Sequence, residues 1–95
     1  MFEFPMPKRR FELVLPEGGR ALRLKPPKLR TVRDLYSDQD FDGIIKTAAE
    51  ILSNNEEGQT ITPDDVLEHL DYDQIRDFFS AFRGWLTDTR ASNPN

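Results

Sequence analysis

Cysteine is absent from this chain of 95 residues, which excludes disulfide staples, thiolate nucleophiles and Cys-ligated zinc. Histidine occurs once, at His69. Only generic acids, Glu68 and Asp73, lie near it in sequence, so it reads as a surface or half-buried structural residue rather than a catalytic one. No apolar run approaches the roughly 18 residues that span a bilayer, and residues 1–10 lack the apolar core of a secretion signal. No membrane association and a cytoplasmic location are the expectation. Glycine is sparse, and Gly18-Gly19 is not followed by Lys-Ser/Thr and a helix, so no phosphate-binding loop exists. With no catalytic constellation, the chain reads as non-enzymatic and without a cofactor or metal.

What is present is a set of core-forming side chains. Seven Phe and one Trp within a hydrophobic content of 37% argue for a folded core, while 32% charged residues keep the surface polar. Ninety-five residues make one small domain, near the lower end of what buries a self-sufficient core. The charge is divided unevenly. Residues 1–33 carry nine Lys/Arg against three Asp/Glu, a net of +6, and residues 34–95 carry four against fourteen, a net of −10; together they make −4.

The hydrophobic pattern changes at the same place. Residues 1–9 hold alternating Phe2, Phe4 and Met6 ahead of a basic run, and read as an extended arm docked through its apolar residues. Phe11, Leu13 and Leu15 alternate with Glu12 and Val14, and Leu22 and Leu24 with Ala21 and Arg23. Between these runs, Pro16-Glu17-Gly18-Gly19 supplies turn chemistry, so residues 10–25 form a β-hairpin with an aliphatic and a basic face. Pro26-Pro27 ends the second strand. Helical spacing follows over about 31–36, capped by Thr31, and over 40–54, capped by Asp40, with Phe41, Ile44, Ile45, Ala48 and Leu52 on one face. Residues 53–60 read as a polar loop. Thr62-Pro63-Asp64-Asp65 starts a helix over 63–70, and Asp71 or Asp73 caps the last one, over 72–87. Residues 89–95 read as a flexible tail. The fold class is α+β: an N-terminal β-hairpin followed by a small bundle of three to four α-helices.

Three features invite functional readings. Asp38-Gln39-Asp40-Phe41-Asp42-Gly43 spells the first half of a calcium loop, but the position that needs a closing carboxylate is Ala49. Capping of the helix at Asp40 is the stronger account. The basic stretch from Lys8 to Arg33 could contact phosphates, yet it lacks interleaved aromatics apart from Phe11, and the acidic helices would repel a polyanion. Nucleic acid is therefore not the expected partner; pairing of the basic hairpin with the acidic helices, within the chain or between copies, accounts for the charges better. The final helix carries Ile75, Phe78, Phe79, Phe82, Trp85 and Leu86 along one arc. Phe79 and Phe82 are the best core candidates, with Phe78 and Trp85 at the edges. More aromatic surface is present than one small sheet easily covers, which makes Phe78, Phe82 and Trp85 the candidate partner-binding residues.

The order of these elements resembles the small tail assembly chaperones of long-tailed bacteriophages. The likeness lies in the hairpin with Gly18-Gly19, the Pro26-Pro27-Lys28-Leu29 exit, the acidic helical middle and the closing Asp77-Phe78-Phe79-Ser80-Ala81-Phe82 segment. It covers about residues 10–87 as a pattern of elements. The resemblance implies a non-enzymatic protein of the bacterial host cytoplasm that binds the tape measure protein and keeps it soluble during tail assembly. It also implies a longer frameshifted form, for which the tail after Arg90 would be the junction. Alternative readings are a structural head–tail or tail virion protein, with basic and acidic surfaces paired between subunits as a homo-oligomer, and a small nucleic-acid-binding protein using the basic hairpin.

Overall fold

In the computed structural model, which describes residues 1–6 and 8–88, the chain is an α+β protein: a two-stranded antiparallel hairpin and then four helices. Strands β1 (Phe11–Val14) and β2 (Ala21–Leu24) pair in the register Phe11↔Leu24 and Leu13↔Leu22. That register puts Phe11, Leu13, Leu22 and Leu24 on the inner face. The turn closes with the Leu15 N–H donating to the Arg20 carbonyl at 2.8 Å. Gly18 and Gly19 sit at φ 76° and 62°, the left-handed region where a side chain would be strained.

Helix α1 (Leu29–Tyr36) begins two residues before the expected Thr31 cap. Lys28 occupies the cap position without a side-chain bond, and Thr31 is buried one turn before Leu35 on the inward face. The hydroxyl residue was a plausible start by type, but packing claims it for the interior. Helix α2 (Phe41–Ser53) starts as expected, with the Asp40 carboxylate accepting from the Gly43 N–H at 2.8 Å. It is the central element: Ile45, Thr47, Ala48, Ala49, Ile51 and Leu52 are all buried, more than a single stripe. The two alanines let neighbouring elements approach its backbone closely. Phe41, expected on the buried face, is exposed instead, at the mouth of a cleft that it shares with residues of the two helices that follow.

Helices α3 (Pro63–His69) and α4 (Tyr72–Thr87) each open with a reciprocal capping box. Thr62 exchanges side-chain and backbone bonds with Asp65, and Asp71 does the same with Gln74. Each exchange satisfies two backbone N–H groups that a helix start otherwise leaves open. Asp71, not Asp73, is therefore the cap of α4. The core joins Leu22 and Leu24 of the sheet to Leu35, α2, Val66 of α3, and Ile75, Phe79 and Phe82 of α4.

Two further expectations are corrected. Residues 53–60 are not a plain polar loop. Asn55 is buried and forms a bridge with Leu24, flanked by bonds from Lys25 N–H to Asn54 O (2.8 Å) and Glu56 N–H to Arg23 O (3.0 Å). This segment covers the outer edge of β2, which would otherwise lie open. The apolar side chains of the arm do not dock: Phe2, Phe4 and Met6 are exposed, and the arginines behind them make the contacts. The expected tail, with the residue marking a frameshift junction, lies outside the described residues.

Candidate protein-docking surfaces

The sole tryptophan marks the first surface. On α4, Phe82 is fully buried while Phe78 and Trp85 are half-buried. Phe11 of β1 meets all three rings edge-on, at centroid distances of 5.9 Å to Phe78, 5.3 Å to Phe82 and 5.8 Å to Trp85. Edge-to-face contacts of this kind add to the burial of the rings themselves. The Arg9 guanidinium lies 4.4 Å from the Trp85 ring centroid and donates to the Trp85 carbonyl. A cation there faces both an aromatic ring and the negative end of α4. The three candidate partner-binding residues thus come together in one cluster, capped from within the chain. Phe82 lies beneath the other two, and only parts of Phe78 and Trp85 reach the surface.

The charge pairing expected of the basic hairpin is present, with a different acidic partner. Arg10 and Arg23 reach Glu56 at 2.7 and 3.2 Å, and Arg23 also reaches Glu57 at 3.4 Å. Arg20 donates to Gln59 at 2.7 Å. These acceptors stand on the 53–61 segment, not on the helices. The Arg23 backbone N–H donates to Glu57 at 2.9 Å, and that bond, with help from the Arg23 side chain, holds the Glu57 carboxyl below its usual range. Asp65 is lowered in the same way by the Thr62 N–H. The expected basic face is also diluted, since the outer face of the hairpin carries Glu12, Val14, Ala21 and Arg23.

The calcium-like motif has a structural use. Gln39 donates to the Asp34 carbonyl and accepts from the Thr47 hydroxyl at 3.1 Å, tying α1 to α2. A Cβ built on Gly43 would stand 2.9 Å from the Gln39 amide oxygen, so glycine leaves room for that clamp. Among the described residues, no group of three His, Asp or Glu is arranged to hold a metal ion. His69 is exposed and faces Glu17 of the hairpin turn at 3.6 Å.

A second surface is open. Where α2, α3 and α4 begin or end, Phe41, Ile44, Leu67, Leu70, Tyr72 and Ile75 line a cleft of about 220 Å³. Phe41, Leu67 and Tyr72 are exposed at 62%, 50% and 75%. Of the charged residues, Asp71 lines it, and the Arg76 guanidinium, paired with Asp73 at 3.6 Å, lies 6.0 Å from the Tyr72 ring centroid. Sequence reading missed the cleft because Phe41 was assigned to the core and the shared position of Leu67 and Tyr72 depends on how α3 and α4 meet. Among the described residues no helix is long and apolar enough to cross a membrane. Compared with protein-family models, curated proteins and solved structures, the chain has no significant match.

Proposed function

We propose that this chain is a non-enzymatic tail assembly chaperone that holds amphipathic helical segments of a tape measure protein in the host cytoplasm. The observation that carries the reading is the open apolar cleft of α2, α3 and α4, with Phe41, Leu67 and Tyr72 presented to solvent. A groove of this type takes the apolar face of an amphipathic helix. Phe78 extends the same helix's apolar surface beyond the cleft, with Leu70 lining the grooves on both sides. The engagement of Arg10, Arg20 and Arg23 by Glu56, Glu57 and Gln59 weighs against a phosphate-binding hairpin.

The test is co-expression with the tape measure protein of the same tail. The wild-type chain is expected to keep it soluble and to co-purify with it. Leu67→Asp combined with Tyr72→Ser is expected to lose both effects while the chain stays folded. A tape measure protein that remains insoluble with the wild-type chain, or remains soluble with the double variant, overturns the reading.

A further inference from the structure

The first strand has an unpaired edge, and the chain carries a segment with the right parity to fill it. Arg23 and Lys25 direct their backbone groups to residues 54–56, so Leu22 and Leu24 bond to β1 and, opposite them, Leu13 and Phe11 bond to β2. Glu12 and Val14 therefore point their N–H and C=O groups outward, and no further strand pairs there among the described residues. A groove of about 280 Å³ runs beside this edge, lined by Leu13, Val14, Leu70, Gln74, Asp77 and Phe78. A strand laid along β1 would drop alternate side chains into it.

The N-terminal arm fits that description. Phe2, Phe4 and Met6 are exposed, and the Phe2 and Phe4 rings pack edge to face at 4.9 Å, on one side of the backbone. Pro5 falls at an odd position. In a strand running parallel to β1, the residues that turn their backbone groups to Glu12 and Val14 carry their side chains on the Leu13 face. With the even residues in that role, Phe2, Phe4 and Met6 face the groove and the missing N–H of Pro5 faces away, as an edge strand requires. The arm cannot easily serve its own edge. Folding it back on β1 would draw Arg9 into the reversing turn and take its guanidinium off Trp85, while Arg10 is held by Glu56.

We infer that the arm adds as a parallel strand to the β1 edge of a second copy of this chain, with Phe2, Phe4 and Met6 in that copy's groove. Reciprocal exchange of two arms closes a two-fold dimer. The inference uses the sheet edge and does not rest on the helical cleft or its partner.

Sedimentation equilibrium of the full chain tests it. The mass is expected to double from 11.0 kDa as concentration rises, with a dissociation constant on the order of 10 μM for so small an interface. Val14→Pro removes an outward N–H that β2 does not use, and Phe2→Ser with Phe4→Ser removes the inserted rings. Each is expected to weaken the dimer at least tenfold, with helical circular dichroism unchanged for the arm variant. The arm variant alone decides the matter where Val14→Pro also disturbs the fold. A monomer at all concentrations, or a dimer of undiminished strength in the arm variant, overturns the inference.

Discussion

The two ends of α4 treat their aromatic residues in opposite ways. At the C-terminal end, Phe78, Phe82 and Trp85 are covered by Phe11 and Arg9, which come from the far end of the sequence. At the N-terminal end, Tyr72 stands open beside Phe41 and Leu67. The two ends differ in what the chain brings against them. The N-terminal region supplies Phe11 at β1's first position and Arg9 two residues before it, whereas at the start of α4 only Arg76 of the same helix lies over Tyr72, its guanidinium 6.0 Å from the ring centroid. A covered end stabilises the fold, whereas an open end is available to a partner.

That division sets an order of expected effects. Phe82→Ala is the most damaging, because it leaves a cavity beneath three rings in a fully buried position, at a cost of about 3–5 kcal/mol. Small domains hold roughly 5–15 kcal/mol in total, so urea unfolding should show a large loss of midpoint. Phe11→Ala comes next, at roughly 2 kcal/mol, since its half-buried ring still lids the cluster. A smaller effect for Phe82→Ala than for Phe11→Ala would contradict the assignment of Phe82 to the bottom of the cluster. At the open end, Leu67→Asp with Tyr72→Ser should shift stability by no more than about 1 kcal/mol, as exposed substitutions do.

Arg9→Ala separates the ends by a different readout. It removes a cation–π contact and a charge at α4's negative end, together worth roughly 1 kcal/mol. Trp85 is the only tryptophan, so its fluorescence reports this end alone. Loss of Arg9 should expose the indole to water and shift its emission to longer wavelength. The Leu67 and Tyr72 changes should leave that emission where it is. A red shift from the latter pair would mean that the two ends are not independent.

Much of the scaffold could be read from local signals. Gly18-Gly19, Thr62-Pro63-Asp64-Asp65 and Asp71-Tyr72-Asp73-Gln74 each carry their conformation within four residues, and each forms the turn or cap its chemistry calls for. Phe79 and Phe82 were legible as core because they lie at the centre of the arc. What could not be read depends on contacts between distant segments. Phe11 and Phe78 are 67 positions apart, so no window shows one ring covering the other. Thr31 has the right chemistry for a cap, but the packing of Leu35 places it one turn inside α1. Asn55 and Glu56 look like ordinary loop residues until β2's open edge is brought beside them. The exposed cleft was hidden for a related reason: helical spacing tells which residues share a face, not whether anything covers that face.

The smallest expected effect concerns acid, and it samples both sides of the molecule. Glu57 secures the hairpin through the Arg23 N–H, and Asp65 secures α3, one wall of the cleft, through the Thr62 N–H. Both carboxyls are held below their ordinary values of 4.5 and 3.8, each chiefly by that backbone bond. The folded state therefore gains from ionisation of these groups at any pH above those ordinary values. Below them the gain shrinks, and it is gone once the pH has fallen through the depressed folded-state values. Both groups are well solvated, so each contribution is small. The amide proton resonances of Arg23 and Thr62, followed by two-dimensional NMR during acid titration, should report the two bonds separately. Each midpoint is expected below the ordinary value of the carboxyl it contacts, with the Arg23 signal lost from the Glu57→Gln titration and the Thr62 signal retained. An Arg23 midpoint at or above 4.5 would remove the hairpin's acid clasp from the account, because a carboxylate gaining a hydrogen bond on folding must titrate lower, not higher.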